Sequence, residues 1–303
     1  MIEINKQVKG SLALTAAAFV WGMAFSAQSN AMKYVQPFTF VFLRSTITSA
    51  ILFAAAPLFR RLSGGAGDDT PPMRDHIVPG IVIGLFLVTA TILQQVGLVY
   101  TTPAKSGFVT ALYMIIVPLL GLFMGRRVRP MLWLGLGMAL VGMALLCVQE
   151  DLSVNIGDLY TLGCAFMFSF QILAVARYAP KLDVIKLSAM QFATAAVVSG
   201  VAAFAFETPR VEGMLACWTS ILYVAVCSGA IGYTLQMVGQ KYADPTLASL
   251  LMCLESVFAA LGGWALLGQA LSARELIGCA LMLIASVIAQ LPERPRQEVD
   301  CDE

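Results

Sequence analysis

Glu255 and Arg44 are charged residues that lie deep inside long apolar segments of this 303-residue sequence. Glu255 follows Pro245 by ten residues, and a helical rise of about 1.5 Å per residue places it near the middle of a bilayer. A charge at that depth is costly, so the side chain should face the interior of the protein. Two roles fit this position. Glu255 either exchanges protons or binds a cationic substrate, or it holds helices together through a hydrogen bond.

Arg44 and Lys105 are the basic counterparts, and each also fits a structural and a functional role. Arg44 is predicted roughly two turns below the surface, too deep for its guanidinium to reach water, so it needs an anionic or carbonyl partner. That partner is either Glu255 or the carboxylate of a substrate. Lys105 lies one turn into its segment, where its amine can extend to the interface in a structural role. The alternative is a part in proton coupling at the mouth of a transport path.

Amide, phenol and indole groups inside other apolar segments form a further set of candidate ligands. Such groups need hydrogen bonds inside a membrane, and a water-accessible central cavity satisfies many of them at once. With aromatic walls, this cavity would suit a small amphipathic organic solute, with or without positive charge. The candidate substrate-binding residues are Trp21, Gln28, Arg44, Gln94, Tyr113, Gln171, Gln191, Tyr233 and Gln236.

The composition indicates that membrane-spanning helices hold these residues. Hydrophobic residues make up 59% of the chain and charged residues 12%, with a mean hydropathy of +0.81, whereas soluble domains have about a quarter charged residues. Ten apolar stretches fill the sequence and predict an all-α membrane protein with ten transmembrane helices. The predicted spans are 11–33, 37–59, 77–100, 103–125, 129–148, 156–177, 184–206, 214–240, 245–267 and 273–291.

The ten stretches divide into two halves of five, so the halves must start on opposite faces of the bilayer. A shift of 142 residues aligns Tyr100–Pro103 with Tyr242–Pro245 and Tyr113 with Glu255. These matches predict two inverted five-helix repeats. Spans five and ten contain almost only small and aliphatic residues, so they are expected to act as scaffold. The predicted domains are residues 1–150 and 151–303.

The basic residues near the ends of the predicted spans favour one orientation. With a cytoplasmic N-terminus, fourteen Lys and Arg residues lie on the inner side and four at the outer ends. The loop after span five carries Glu150 and Asp151 and no basic residue. The sequence therefore predicts a multi-pass protein of the inner or plasma membrane, as a monomer or homodimer, with both termini in the cytoplasm.

Several short motifs together resemble the drug/metabolite transporter superfamily, in its EamA-type branch. The motifs are Trp21-Gly22-x-x-Phe25-x-x-Gln28, Leu43-Arg44, the segment from Gln94 to Phe108, Leu254-Glu255-x-Val257-Phe258 and Leu266-Leu267-Gly268. The resemblance covers essentially the whole chain and implies a ten-helix inverted-repeat carrier. It implies amino acids, their derivatives or amphipathic and cationic compounds as substrates, with export frequent. Ser256 and Gln269 depart from the family, which often has proline and an acidic residue at these positions.

A secondary transporter that works by alternating access, with proton coupling as an option, is the function that these observations favour. An intramembrane enzyme is the first alternative, but the single histidine, His76, is predicted at the end of span three, away from any buried nucleophile or metal site. A channel would need a repeated filter motif or a ring of like groups. The balance of 19 basic and 18 acidic residues argues against nucleic-acid binding. No catalytic residue, metal or cofactor is predicted.

Overall fold

Ten long apolar helical spans make up the protein. The computed structural model describes residues 2–62, 71–147, 155–267 and 271–291, and within these ranges there is no strand. Each span is long and apolar enough to cross a membrane, which confirms the predicted fold class. In chain order, spans 1 to 10 are Lys6–Ala31, Pro37–Leu58, Met73–Tyr100, Ala104–Phe123, Pro130–Cys147, Ile156–Lys181, Val184–Phe206, Trp218–Gln240, Pro245–Ala265 and Ala273–Gln290.

Several spans are built from more than one helix. A short 3₁₀ turn, Ala179–Lys181, forms the end of the sixth span, and a π-helix, Val224–Gly232, lies inside the eighth. The α-helices are α1 Ile2–Ala31, α2 Pro37–Leu62, α3 Met73–Tyr100, α4 Pro103–Ala111, α5 Tyr113–Phe123, α6 Pro130–Cys147, α7 Ile156–Tyr178, α8 Val184–Phe206, α9 Val211–Ala216, α10 Trp218–Tyr223, α11 Tyr233–Gln240, α12 Pro245–Met252, α13 Glu255–Leu267 and α14 Ala273–Gln290.

The eighth span differs from the predicted range of 214–240. The separate helix α9 precedes it, and the chain bends at Cys217, whose φ of −122° and ψ of 23° are not helical. Gly213 allows this helix to pack closely, because a Cβ there would collide with the carbonyl oxygen of Tyr34 in the turn that follows span 1. The span proper begins at Trp218.

Side-chain caps fix where several spans begin. Asn155 accepts a hydrogen bond from the Asp158 amide at 3.1 Å, while the Asp158 carboxylate accepts one from the Asn155 amide at 2.9 Å. This reciprocal pair is a capping box at the start of α7. Ser272 and Glu275 form the same arrangement at α14. Asp244 caps α12, with a proline in the first turn, where its missing N–H costs nothing.

The packing follows the inverted repeat. Span 2 packs on span 7 and span 5 packs on span 10, so each of these four contacts its own counterpart. Span 3 packs on span 6 just as span 8 packs on span 1. Small residues allow the closest approaches: a Cβ on Gly142 would lie 2.8 Å from the carbonyl oxygen of Gly278. Such contacts draw helices together where no hydrophobic effect does so.

Interruptions in spans 4 and 9 occupy equivalent positions. Helix α4 ends and α5 begins on either side of Leu112, and α12 and α13 are separated by Cys253 and Leu254. Leu254 follows Leu112 by 142 residues, the same shift that aligns the two repeats. Tyr113 and Glu255 therefore open the second half of each span. Across the two breaks, the Cys253 thiol donates to the carbonyl oxygen of Ala111 at 3.6 Å between heavy atoms. Broken helices of this kind commonly surround the binding sites of carriers.

Helix α8 illustrates how both faces of a span are apolar. Val197, Val201 and Phe204 have exposed fractions of 68%, 67% and 70% and form an outward stripe. Phe192 and Ala195, on the opposite side, are buried against neighbouring spans. Because lipid and protein interior both favour apolar side chains, the sequence has no amphipathic pattern here.

Candidate substrate cavity

A central cavity lies between spans 1, 2, 3, 4, 6, 8 and 9. Its volume is about 50 Å³, which is room for a few water molecules and well below that of a typical ligand pocket. Eight of the nine candidate substrate-binding residues line it, and no lining residue comes from spans 5, 7 or 10. The lining residues are Trp21, Gln28, Arg44, Gln94, Thr110, Tyr113, Phe168, Gln171, Ile172, Ser228, Tyr233, Gln236, Met252 and Glu255.

Arg44 is held by an amide and not by Glu255. Its Nη1 donates to Oε1 of Gln28 at 3.2 Å, and the same oxygen accepts a hydrogen bond from Nε2 of Gln95 at 2.8 Å. The guanidinium also lies over the ring of Phe40, 5.9 Å from its centroid, a cation–π contact. Spans 1, 2 and 3 are thereby joined at the cavity, and the predicted pairing of Arg44 with Glu255 is corrected.

Glu255 faces the cavity from the first turn of α13. Its exposed fraction is 7%. Within the part of the chain that the structure describes, no hydrogen bond and no ion pair within 4.0 Å reaches its carboxyl. A carboxyl that tied helices together would have such a bond. The geometry therefore favours the functional role considered for Glu255, because its oxygens are open to whatever enters the cavity.

A chain of amides connects the other side of the cavity to span 7. Gln236 donates to Gln171 at 3.1 Å, Gln171 donates to Gln191 at 3.5 Å, and Gln191 donates to the Ser188 hydroxyl at 3.4 Å. Gln191 is fully buried behind Gln171 and does not line the cavity. The prediction that Gln191 is a substrate ligand is thus corrected. Its side chain, on span 7, lies behind Gln171 and supports that residue through a hydrogen bond.

An aromatic wall joins span 1 to the π-helix of span 8. The indole Nε1 of Trp21 donates to the carbonyl oxygen of Ser228 at 3.1 Å. The Trp21 and Tyr233 rings are 4.9 Å apart between centroids, and Tyr233 meets Phe192 edge-on at 5.2 Å. Gly232 is required beside them, because a Cβ there would lie 2.5 Å from the indole nitrogen. The wall offers an apolar face next to polar amides.

Gln94 and Tyr113 complete the predicted set of lining residues. Gln94 of span 3 lines the cavity and donates to the Thr110 hydroxyl at 3.4 Å. Tyr113 has an exposed fraction of 5% and opens α5, directly after the break in span 4. The break thus turns the Tyr113 phenol to the same cavity as Glu255, its counterpart in the second repeat.

Lys105 and His76 lie away from the cavity. The Lys105 amine forms an ion pair with Asp158 at 2.7 Å, so it does not simply extend to the interface as predicted. This pairing favours its structural role. His76 is buried, its Nδ1 donates to the carbonyl oxygen of Pro72 at 3.0 Å, and its Nε2 accepts the Asp183 amide at 3.1 Å. It joins the start of α3 to the connection before α8.

Five lining residues were missed by the sequence reasoning, namely Thr110, Phe168, Ile172, Ser228 and Met252. Residues of these types occur equally on surfaces that face lipid. Thr110 alone gave a usable signal, since it precedes Tyr113 by one turn.

The Glu150 and Asp151 loop and Gln269 lie outside the described residues.

An inverted-repeat bundle around a polar midplane cavity is the architecture of secondary carriers. Residues 8–148 and 155–290 each match the EamA-like transporter family, and the chain belongs to that family. This membership confirms the resemblance noted from the motifs.

Two similar proteins extend the comparison. The chain is 28% identical over 293 residues to an uncharacterized transporter of Archaeoglobus fulgidus, covering 94% of this chain and 87% of the relative. A crystal structure with 23% identity, covering 92% of this chain and 96% of that one, superposes with a TM-score of 0.75 and shows the same fold. Family and relative point to a transporter and not to an enzyme.

Proposed function

We propose that the protein is a secondary transporter that exports amino acids or related small zwitterionic and cationic metabolites by alternating access. The observation that supports this most is that Arg44 and Glu255 line one cavity without an ion pair between them at 4.0 Å or less in the described structure. A zwitterion supplies a counter-charge to both Arg44 and Glu255. Its carboxylate meets the guanidinium, and its ammonium meets the carboxyl of Glu255.

The remaining lining residues suit the body of such a solute. Trp21, Tyr233 and Phe168 provide aromatic surface for an apolar side chain, and the amides of Gln94 and Gln236 provide hydrogen bonds. A solute that brings one positive and one negative group into the cavity carries no net charge across the bilayer, so its transfer avoids the large desolvation cost of a lone ion.

Alternating access follows from the size of the cavity and from the broken spans. A cavity of about 50 Å³ is small for a ligand site, so we expect substrate binding to be coupled to separation of its walls. The breaks at Leu112 and at Cys253–Leu254 supply points where the halves of spans 4 and 9 can tilt. These halves carry Tyr113 and Glu255, so tilting moves lining residues directly.

Proton coupling follows from competition for Glu255. A proton and a substrate ammonium cannot both occupy the carboxylate, so binding of one releases the other. A chain that alternates between the two faces then exchanges external protons for internal solute. This competition is the reason that we propose export and not import for a cell with an inward proton gradient.

For orientation we define the basic end of the bundle as the end with Arg126, Arg127, Arg129 and Lys241. The opposite end, with Lys105 and Asp158, is called the Asp158 end. We propose that the basic end and both termini are cytoplasmic, in the inner or plasma membrane. One chain, divided into repeats 1–150 and 151–303, already surrounds the cavity, so it is the transport unit in a monomer or a homodimer.

The orientation is tested with a membrane-impermeant thiol reagent on intact cells. Thr208 and Arg126 are exposed at opposite ends. Thr208→Cys should be labelled on intact cells and Arg126→Cys only after lysis, with the parent chain and its native cysteines as the control. The reverse pattern would overturn the orientation.

The substrate class is tested by thermal unfolding of the purified protein against amino acids, polyamines, guanidinium compounds and nucleosides. A ligand at 100 times its Kd stabilises the folded state by about 2.7 kcal/mol. The stabilising compound is then tested with Gln94→Ala, Tyr113→Ala, Tyr233→Ala and Gln236→Ala. Each should weaken binding by about 5- to 150-fold, because each removes a buried hydrogen bond.

Charge variants test separately how the carboxylate and the ammonium group of the solute are bound. Arg44→Gln should abolish the preference for an amino acid over the matching amine that lacks the carboxylate. Glu255→Gln should abolish proton-coupled flux in proteoliposomes while the protein stays folded. Leu140→Ile and Leu283→Ile, in spans 5 and 10, are matched controls that should leave both properties unchanged. Unchanged pH dependence in Glu255→Gln would refute the coupling role.

A further inference from the structure

A second recess lies at the basic end, apart from the central cavity, and shares no lining residue with it. It has a volume of about 350 Å³, within the range of ordinary ligand sites. Its walls come from the beginning of α1, the connection from α5 to α6, and the connection from α11 to α12. The lining residues of this basic recess are Gln7, Arg127, Arg129, Leu132, Tyr242, Asp244 and Leu247.

The backbone places the two arginines of the basic recess. Gly125 has a φ of 77°, in the left-handed region that favours glycine. The Arg126 amide then donates to the carbonyl oxygen of Gly121 at 2.9 Å, which closes the turn. The chain continues through Arg127 and Arg129 and enters α6 at Pro130. The turn thereby holds both guanidiniums beside the α11–α12 connection.

The described lining of the basic recess carries two guanidiniums and one carboxylate, so its net charge is positive. Over the described ranges, neither Arg127 nor Arg129 has an ion pair within 4.0 Å or a side-chain hydrogen bond. Asp244 is the acid among the lining residues, but its Oδ1 accepts the Thr246 amide at 2.8 Å as the cap of α12. Two guanidiniums therefore face the recess, and among the described residues neither forms an ion pair with Asp244.

The floor of the recess is apolar. Leu132 and Leu247 are 2% and 1% exposed and close it from below. Immediately before the turn, Phe123 and Met124 are exposed by 89% and 58%, which is a surface suited to lipid and not to water. A ligand here meets cationic groups and an apolar base next to the bilayer, where five helix ends come together.

We propose that the basic recess binds the phosphate group of an anionic lipid from the adjoining leaflet. Arg127 and Arg129 are its phosphate ligands, because guanidinium groups match phosphate oxygens in a two-pronged geometry. Gln7 and Tyr242 add neutral hydrogen-bond donors for the rest of the headgroup. The apolar floor and the exposed Phe123 favour a lipid over free phosphate. The bound lipid joins α1 to both connections at this end.

The test compares thermal unfolding and native mass spectrometry of the purified full chain with added phosphatidylglycerol, phosphatidylcholine or inorganic phosphate. Phosphatidylglycerol should raise the unfolding temperature above the phosphatidylcholine value and remain bound in the spectrometer. The R127Q/R129Q variant should bind phosphatidylglycerol about 30-fold more weakly, since each basic group near a membrane surface contributes about a fivefold change in affinity.

The R126Q variant is the matched control, because Arg126 is an exposed residue of the same turn that does not line the recess. It should lose at most about fivefold in affinity. A loss in R126Q as large as in R127Q/R129Q would show diffuse attraction by the loop and overturn the site. An equal effect of inorganic phosphate would refute a lipid ligand, and so would equal binding of the two lipids. The phosphatidylcholine unfolding temperature of each variant verifies that it is folded.

Discussion

Two helix crossings at opposite ends of the molecule have the same backbone geometry. Span 3 crosses span 6 at Gly97 and Gly157, where a Cβ on Gly157 would lie 2.8 Å from the carbonyl oxygen of Gly97. Span 8 crosses span 1 at Gly239 and Gly10, where a Cβ on Gly10 would lie 3.0 Å from the carbonyl oxygen of Gly239. The inverted repeat relates the two crossings, so the duplicated unit kept the same close contact at each end.

The side chains around the crossings differ. At the Asp158 end, the Asp158 carboxylate accepts from the Lys105 amine at 2.7 Å and from the Thr101 hydroxyl at 3.0 Å, in addition to its capping bond. At the basic end, Ser11 occupies the position equivalent to Asp158. Its hydroxyl is buried and has no hydrogen-bond partner in the described structure. Leu14 packs against Gly239 there.

The two helix crossings are therefore held together by different side-chain interactions. The contact at the Asp158 end is directional, and water or salt that reaches it can compete for its charged groups. The contact at the basic end is formed by close packing of Gly10, Leu14 and Gly239, and no ion pair among the described residues joins it. Separation of the two crossings should therefore differ in its dependence on salt, even though the helices cross alike.

The largest effect is expected from filling the crossings themselves. Gly157→Ala and Gly239→Ala should each destabilise the protein by about 1 to 3 kcal/mol, because the added methyl group meets backbone or packed side chains. Gly137→Ala is the control, since nothing lies within 4 Å of its Cβ position. Thermal unfolding in one detergent measures all three. Equal tolerance of the three substitutions would contradict the close contacts.

An intermediate effect is expected from Asp158→Asn. Loss of the charge should destabilise the protein by about 0.5 to 1.5 kcal/mol, because the ion pair with Lys105 is lost while an amide at this position still accepts hydrogen bonds. A double-mutant cycle with Lys105→Met isolates the interaction between the two side chains. The stabilisation should decrease at high salt only in the parent chain. Additive effects of the two substitutions would show that the ion pair contributes nothing to stability.

The smallest effect, and one of opposite sign, is expected from Ser11→Ala. Removing a buried hydroxyl that has no partner should leave stability unchanged or raise it by up to about 1 kcal/mol. The same thermal assay applies, with Ser199→Ala as the comparison, because the Ser199 hydroxyl is also buried but bonds to the Ala195 carbonyl oxygen. Destabilisation by Ser11→Ala beyond that of Ser199→Ala would mean that Ser11 has a structural role.

Much of the fold could be predicted because lipid imposes simple rules on the sequence. Span length, the odd number of spans in each half and the repeated Tyr-x-x-Pro motif were sufficient for ten inverted helices. The start of span 8 and the π-helix could not be predicted, because the features beside them are tertiary contacts: Gly213 packs against Tyr34 and Gly232 against Trp21. No local pattern encodes such a contact.

The candidate site could be predicted only in part, for a related reason. Polar residues in apolar spans must point inward, which identified Gln28 and Glu255 as lining residues. The depth of each residue behind the surface is a tertiary property. The sequence therefore did not distinguish Gln191 from Gln171, although Gln191 lies behind Gln171 and does not line the cavity. The partner of Lys105 could not be found either, because Asp158 is 53 residues away in the chain.

The two hydrogen bonds at Gln28 also determine which hydrogen-bonding groups this side chain can offer to a solute. Its carbonyl oxygen already accepts from Arg44 and from Gln95, so the side chain has only its N–H groups left to offer. Together with the guanidinium, this corner of the cavity is a region of donors that can recognise only acceptors. A solute bound in this corner would therefore turn its acceptors toward Arg44 and Gln28, as a result of hydrogen bonds in which it takes no part.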